Sequence, residues 1–496
     1  MKTSRSSTFL LTAFLLTVLP TVIAAQQTAE QWQGTFHAGS EPQRMVVETT
    51  RNLNRAMQAQ KIYVEYFHDD AKIDSFSAKG KTVRFSIEGG KGVFAGKLGG
   101  HGTTMAGTWT YDKQSMPLVL TLATQASAWR TPFLYQYHMK DVTYLRPSPN
   151  EKIIPFSPQL ALDYLEKGAV AWTADWGCVA CHTNGTYMVV RPLMTRQLGA
   201  PYGGMRLYFI SALRAELAQD PAKPDPEIEP KQAVYIAAGL AMWDAEVIHE
   251  LTDETKQAME YMFKVQSPDG AWVVLPDDTN PPFESSRFQL ATIAARAVGN
   301  APDWARRQIG TPVEHKINLM KDFLRGDQKM QGDYDRTHLL WASAELPGLI
   351  DEGRRREIVD MIFAHQKSDG GWSIRSFAQP EEWGNGNRAQ KLRAEAELSD
   401  PPSDGHMTGL AIIALRKAGV SADDPRILHG VQWLLANQRE SGRWYTRSLN
   451  RDGWQFITYS GTAYPMLALA LCDALPAGLQ ADEPVGIRNP AHGAGR

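Results

Sequence analysis

The sequence predicts a multidomain protein: a small antiparallel β-sandwich or barrel is followed by an all-α domain, an α6/α6 toroid. Three observations predict this fold class. Apolar residues alternate with period two from about residue 31 to 124, the period then becomes helical, and a short motif of glutamine, glycine and tryptophan repeats within the helical part. The 496 residues also exceed the usual size of one domain.

Residues 1–24 have the pattern of a secretory signal peptide. Lys2 and Arg5 precede an uncharged apolar run from Phe9 to Ala24 that ends in small residues. We therefore expect a periplasmic or secreted protein without a transmembrane segment. Removing these two positive charges changes the formal net charge from −2 to −4, which is too small to favour nucleic acid as a partner.

Residues 28–127 read as the β module. Two strands show the alternation clearly, with one apolar face formed by Ile62, Val64 and Tyr66 and the other by Val83, Phe85 and Ile87. A glycine-rich stretch adds three more strands. The opening Trp-x-Gly at Trp32 to Gly34 resembles a lipocalin-like module of secreted hydrolases, and the resemblance implies a stabilising or docking role.

A linker at 128–154 separates this module from the repeat domain at 155–475, and residues 476–496 form a tail. Three copies of the motif are "QSPDGAW" (266–272), "QKSDGGW" (366–372) and "QRESGRW" (438–444), and "QKMQGDY" (328–334) is a fourth. Each motif predicts a helix hairpin in which glutamine ends an outer helix, glycine supplies a left-handed turn and the aromatic residue packs back. The expected outer helices are 158–170, 206–219, 252–265, 312–327, 351–366 and 425–438, and the inner ones 182–198, 231–243, 285–298, 335–346, 404–418 and 459–474.

These repeats resemble the QW motifs of the squalene-hopene cyclase and terpenoid cyclase family, and more distantly the prenyltransferase β-subunits. The resemblance covers about residues 155–475. It implies inner helices around an apolar cavity for an isoprenoid chain, and an Asp-x-Asp-Asp motif that protonates the substrate. That motif is absent here; the nearest candidates are Asp404, Asp277-Asp278 and Asp423-Asp424. Because a lone carboxyl is an ordinary acid, cyclisation of squalene itself is not expected.

The stretch "GCVACHTNG" (177–185) contains the attachment motif of c-type haem, Cys178-x-x-Cys181-His182. The thiols would hold the haem vinyl groups and His182 would be an axial ligand of the iron. Met188 lies too near on the same helix to reach the opposite haem face, so His406 or His338 is the expected distal ligand. A zinc ion, or a disulfide between the cysteines, is the alternative.

First-turn residues of successive inner helices are expected at one mouth of the toroid: His182, Glu284, Asp335 with His338, Asp404 with His406, and Tyr459 with Tyr464. Asp404, His406 and Glu284 are the candidate catalytic residues. Asp335 and Asp404 could equally be helix N-caps. Arg191 and Arg196 could bind haem propionates or other carboxylates. The insertion at 374–402 is either a lid over this mouth or a charged loop without a function.

Three functions remain open at this stage. The first is an exported cyclase-like haem protein that binds or transforms a hydrophobic, isoprenoid-like molecule, and a redox protein is among its candidate partners. The second is a non-catalytic scaffold that binds a lipid or a partner protein. The third is a toroid enzyme that acts on polysaccharides through Glu284 and Asp404.

Overall fold

The computed structural model describes residues 29–38, 41–52, 56–64, 71–99, 102–111, 113–124, 150–218, 230–273, 281–283, 286–327, 331–450 and 456–476. Several sequence predictions fall outside these ranges. They are the signal peptide, most of the linker, Tyr66, Glu284, Asp277-Asp278 and nearly all of the tail. Among the helices described, none is long and apolar enough to cross a membrane.

The N-terminal region is one antiparallel sheet of eight strands. The strands β1 to β8 are Glu30–Ala38, Glu41–Arg51, Met57–Val64, Ile73–Lys79, Thr82–Ile87, Gly92–Gly99, Thr104–Tyr111 and Gln114–Leu122. Their order is β3-β2-β1-β8-β7-β6-β5-β4, so the two edge strands are consecutive in the chain. The Ala71 amide just before β4 donates to the Ile62 carbonyl of β3 at 2.8 Å, which brings the edges together. The sheet is therefore a near-barrel and not a two-sheet sandwich.

Large aromatic side chains fill the inside of this near-barrel. Trp32, Phe85, Phe94 and Trp109 are fully buried, and Phe85 stacks on Phe94 with ring centroids 5.0 Å apart. The apolar faces predicted for β3 and β5 are confirmed, since Ile62, Val64, Val83, Phe85 and Ile87 belong to this core. Alternation places every second side chain inside, which is the physical basis of the prediction.

The second region is helical. The helices α1 to α15 are Pro158–Trp176, Asn184–Val190, Thr195–Leu198, Gly203–Leu217, Pro230–Trp243, Asp253–Lys264, Arg287–Gly299, Pro302–Arg307, Pro312–Asp327, Asp333–Glu345, Glu352–Ala364, Ala389–Arg393, Gly405–Lys417, Pro425–Ala436 and Phe456–Leu471. A helix lies within a few residues of each predicted position. The predicted inner helix 182–198 is instead divided into α2, a 3-10 turn (Arg191–Met194) and α3, because Pro192 cannot continue the backbone hydrogen bonds of a helix.

The predicted inner helices contact one another in sequence order. Helix α2 packs on α5, α5 on α7, α7 on α10, α10 on α13 and α13 on α15, and α15 returns to α2. Helices α5, α13 and α15 are apolar over most of their surface, which is typical of helices buried on nearly every side. The outer helices α6, α9 and α14 are instead amphipathic.

Three repeat motifs make the same hydrogen bonds. The glutamine Nε2 donates to the glycine carbonyl of its own motif at 2.8–2.9 Å, and also to a carbonyl at the start of another outer helix: Gln266 to Lys316, Gln366 to Arg426, and Gln438 to Ser157. The tryptophan Nε1 donates to the carbonyl ten residues earlier, at Met262, Ile362 and Leu434. The glycines have φ of +92°, +90° and +82°. The predicted hairpin is confirmed for these three copies.

The fourth copy does not form this hairpin. Gly332 has φ −62° and is the N-cap of α10, and Tyr334 lies inside that helix instead of packing back on an outer helix. The prediction was wrong here because the linear spacing of the motif does not fix the backbone conformation at its glycine. Tyr334 has a different position, described below.

Candidate functional site

The Cys-x-x-Cys-His stretch lies in the turn between α1 and α2, and Asn184 organises it. Gly177, with φ +61°, ends α1. The fully buried Asn184 side chain accepts a hydrogen bond from the Ala180 amide at 2.8 Å and donates to the Cys178 carbonyl at 2.8 Å and to Thr173 Oγ1 at 3.1 Å. This one side chain therefore fixes the backbone between the two cysteines. Cys178 is half-buried and Cys181 is buried, and neither forms a disulfide.

His182 follows this turn and is surrounded by aromatic rings. Phe456 of α15 stacks on its imidazole at 4.1 Å, and Trp172 of α1 contacts it at 4.5 Å with the ring planes at 89°. Burial, with a smaller effect of Lys231, lowers the pKa of His182 to about 3. Nδ1 lies 2.7 Å from Thr183 Oγ1. His182 is thus neutral, and its Nδ1 is engaged.

Phe283 connects this cluster to a second histidine. Its ring centroid lies 6.1 Å from His182 and 5.9 Å from His406 of α13. The two histidines make no ring contact with each other in the described chain. His406 is fully buried, and burial, then His338, lowers its pKa well below the usual value.

Hydrogen bonds fix the tautomer of His406. Ser460 Oγ donates to the Ile457 carbonyl at 2.9 Å, so it accepts from His406 Nδ1–H at 2.7 Å. His406 Nε2 is therefore unprotonated and accepts from the Tyr334 hydroxyl at 3.0 Å. Burial, followed by the nearby acidic groups, raises the pKa of Tyr334 well above the usual value. The pair is consequently neutral.

His338 lies one helical turn after Tyr334, and their rings are 4.8 Å apart. Burial and Arg296 lower the pKa of His338 to about 3. The Gln289 amide can donate to the carbonyls of Phe283 at 3.2 Å and Pro282 at 3.0 Å, which turns its oxygen toward His338 Nε2. The predicted distal ligands His406 and His338 thus lie in the same cluster as Phe283, although both nitrogens of His406 are already engaged.

The carboxylates of Asp404 and Asp335 are buried, and their oxygens already accept hydrogen bonds from the chain. Asp404 is the N-cap of α13: its oxygens accept from the Met407 amide at 2.9 Å and the Ile374 amide at 2.7 Å. The N-cap prediction for Asp335 was wrong, because α10 begins two residues before it; Asp335 instead accepts from Ser286 Oγ at 2.6 Å. Burial raises the pKa of both to about 6. Neither is a strong acid.

The insertion at 374–402 packs over this cluster. Trp383 contacts the Tyr334 ring at 5.2 Å. A buried ion pair between Arg375 and Glu395 holds the insertion together, and Arg375 also donates to the Arg447 and Ser448 carbonyls at 3.0 and 3.3 Å. The insertion is thus packed against the helical region and contains the short helix α12, and its role as a lid stays a prediction.

Three other predicted side chains lie elsewhere. The Tyr459 hydroxyl donates to the Leu165 carbonyl of outer helix α1. Residues three or four apart share a helix face, as Ser460 and Tyr464 do, whereas Tyr459 and Tyr464 are five apart. Arg191 forms a buried ion pair with Glu166 at 2.8 Å, and Arg196 lies 3.6 Å from Asp473 at the surface. Both arginines thus bind carboxylates of the chain.

Several residues of the cluster were not predicted from the sequence: Trp172, Asn184, Phe283, Tyr334, Trp383, Phe456 and Ser460. A signal existed for three of them. Phe456 and Ser460 precede Tyr464 by eight and four residues, which places all three on one helix face. Tyr334 likewise precedes His338 by four residues, but it was assigned to a repeat.

The donor set at Cys178, Cys181 and His182 fits a covalent haem in its chemistry. Metal binding requires a neutral imidazole whose second nitrogen is held by another group, and His182 has both properties. Rings stacked on an imidazole face do not block Nε2, which binds in the ring plane. Within the described residues no three His, Cys, Asp or Glu side chains converge on a common metal position, so the zinc alternative has no preformed site there.

No family model matches the chain. Over 126 residues it is 29% identical to squalene-hopene cyclase from Bradyrhizobium diazoefficiens, a match that spans 24% of this chain and only 17% of that protein. A structural comparison with ent-copalyl diphosphate synthase from Streptomyces platensis has a TM-score of 0.37 at 16% identity, over 59% of this chain and 50% of that one. The weak sequence similarity supports a terpenoid-cyclase-like fold for the helical region, as the repeats predicted.

Proposed function

We propose that the helical region is an α6/α6 toroid that binds or transforms a hydrophobic, isoprenoid-like molecule at the end where His182 and His406 lie. One observation carries this proposal: aromatic rings and neutral imidazoles connect residues of five inner helices and adjoining turns. The guanidinium of Arg296 lies over the Trp341 ring, at the border of this cluster beyond Tyr464. An apolar chain gains free energy by leaving water for such a surface. The cyclase-like sequence match agrees with it.

The same proposal includes a covalent c-type haem in an exported protein. Cys178 and Cys181 would form the thioether bonds, and His182 would bind the iron through Nε2. Such a haem supplies one-electron transfer, or an iron that binds a small ligand. Asn184 would hold the turn that carries both thiols, and Thr183 would hold the tautomer of His182. Asp404 and Tyr334 are engaged within the chain, and we assign them no proton transfer.

The haem is tested by expressing the full chain with its signal peptide in a bacterium that has the c-type maturation machinery. We expect a Soret band and a haem-stained band of the protein on a denaturing gel. The double variant Cys178→Ser, Cys181→Ser should lose both, whereas Cys472→Ser is the matched control and should keep both. Colourless wild-type protein from induced cells would refute the haem.

The apolar ligand is tested separately, by displacement of a fluorescent polyene from purified protein. An isoprenoid hydrocarbon should compete at micromolar concentration, whereas a soluble oligosaccharide should not. Competition by the oligosaccharide alone would favour the polysaccharide enzyme. The scaffold alternative predicts ligand binding without turnover, which product analysis after prolonged incubation distinguishes.

A further inference from the structure

Trp172 of α1 has a buried hydrogen-bond donor that no described residue accepts. The side chain is only 4% exposed, and its Nε1 has no acceptor among the described residues. An indole N–H that is removed from water without a partner destabilises the folded protein by about 1–3 kcal/mol. Buried indoles usually find an acceptor for this reason.

Trp172 lies in the aromatic cluster that contains His182. His182 and Phe456 are stacked on each other at 4.1 Å, and Trp172 is nearly equally close to both, at 4.5 and 5.1 Å, with ring planes at 89° and 85°. Trp176 stacks on Trp172 at 5.2 Å with the planes only 9° apart. The unsatisfied N–H therefore lies beside the histidine of the Cys-x-x-Cys-His stretch.

A water molecule is a poor partner at this position. Buried water needs about three hydrogen bonds, and cavities lined by apolar groups stay dry. The ring neighbours of Trp172 are Trp176, His182 and Phe456, and the Nδ1 of His182 is already engaged with Thr183. One oxygen atom on an otherwise apolar molecule satisfies the donor without the need for further polar partners.

We propose that Trp172 Nε1–H binds a carbonyl-type oxygen of the apolar ligand, so that the ligand is an oxygenated isoprenoid and not a hydrocarbon. This inference rests on the proposed function, because it specifies the ligand of the same site. It makes Trp172 a specificity-determining residue beside His182. A second source of the same oxygen chemistry is a carboxylate of a bound haem, and the test separates the two.

The test compares two ligands that differ in one group: an 18-carbon isoprenoid ketone, farnesylacetone, and the same skeleton with CH2 in place of the carbonyl. Displacement of the fluorescent polyene from haem-loaded full-length protein gives both affinities. We expect the ketone to bind about 10-fold more tightly, the value of one hydrogen bond to a donor that is otherwise unsatisfied. Equal affinities in the wild-type protein would overturn the inference without any variant.

The variants assign the preference to one atom. Trp172→Phe should reduce the ketone preference to less than about 2-fold, because phenylalanine supplies an aromatic ring without an N–H. Trp176→Phe alters the stacked neighbour, which is 61% exposed, and should retain the full preference. Persistence of the preference in Trp172→Phe would refute the role of this N–H. Circular dichroism checks that both variants are folded.

The remaining outcomes separate this inference from the proposed function. If neither ligand competes in the wild-type protein, apolar binding itself is wrong and the inference falls with it. If both compete equally, apolar binding stands and only the role of Trp172 is wrong. If the ketone is preferred only in the haem-free Cys178→Ser, Cys181→Ser protein, the cofactor takes the N–H, which also overturns the inference.

Discussion

Gln438 connects the last repeat motif to the first helix of the helical region, and its removal should weaken the whole region. Its Nε2 donates to the Gly442 and Ser157 carbonyls, both at 2.9 Å, and its Oε1 accepts from the Ser157 amide at 2.5 Å. The side chain is fully buried. Gln438→Ala therefore removes three hydrogen bonds to backbone groups that have few other partners.

The expected loss follows from these bonds. At about 1 kcal/mol for each hydrogen bond, Gln438→Ala should lower the free energy of unfolding by about 3 kcal/mol. Gln366→Ala removes two such bonds, to Gly370 and Arg426, and should cost about 2 kcal/mol. Urea unfolding followed by circular dichroism at 222 nm measures both, and a change in midpoint with an unchanged slope identifies a change in stability.

Gln390→Ala is the control, since that glutamine is exposed on a short helix and should change stability by less than about 0.5 kcal/mol. The larger loss of stability in Gln438→Ala is expected to come from the contact between residues 438 and 157, which joins the last repeat motif to the first helix of the helical region. A Gln438→Ala protein as stable as Gln390→Ala would refute it, and with it the closure of the toroid at this point.

Three other predictions concern the repeats and the cluster. Gly370→Ala should lower the free energy of unfolding by more than about 2 kcal/mol in urea, because Gly370 has φ +90° and the new Cβ would lie about 2.5 Å from His429. Gly332→Ala is the control and should cost less than about 1 kcal/mol, because Gly332 has φ −62°. The pKa of His338 is about 3 in the folded protein and about 6.5 when unfolded, so the unfolded chain takes up a proton that the folded protein does not. The free energy of unfolding should therefore fall as the pH falls below 6.5. His338→Gln should reduce this loss of stability between pH 6.5 and 5 by about 2 kcal/mol. Asn184→Ala should lower the yield of haem-stained protein several-fold at equal protein level, because the turn loses three hydrogen bonds; an unchanged yield would contradict this role.

The sequence predicted the helix positions well because the repeat motifs impose local rules. A glycine at φ near +90° and a tryptophan that bonds ten residues back depend on the motif and the helix before it. Periodicity likewise predicted the buried faces of β3 and β5. The sequence predicted one inner helix at 182–198 and missed its division into α2, a 3-10 turn and α3. Pro192 was visible, but the apolar pattern continues through this proline.

The composition of the cluster was harder to predict, because it depends on which inner helices meet. His182, His406 and His338 were expected at one mouth, and the structure places all three around Phe283 and its neighbours. Phe283 itself lies outside the helices, and its position follows from tertiary packing alone. Trp383 comes from the insertion, whose fold no periodic pattern indicates.

The sequence lacks the Asp-x-Asp-Asp motif, and in the structure the carboxyl of Asp404 does not have the acidity that this motif would supply. Protonating an alkene requires a carboxyl far more acidic than usual, yet burial raises the pKa of Asp404 to about 6, and both of its oxygens accept backbone amides. The groups nearest to the aromatic rings, Tyr334 and His406, are neutral and bound to each other. A proton donor strong enough for cyclisation is not among the described groups of the cluster. Within the described residues, the Cys178-x-x-Cys181-His182 stretch is the remaining candidate for chemistry, which makes haem attachment and ligand preference the two measurements that decide between the proposed functions.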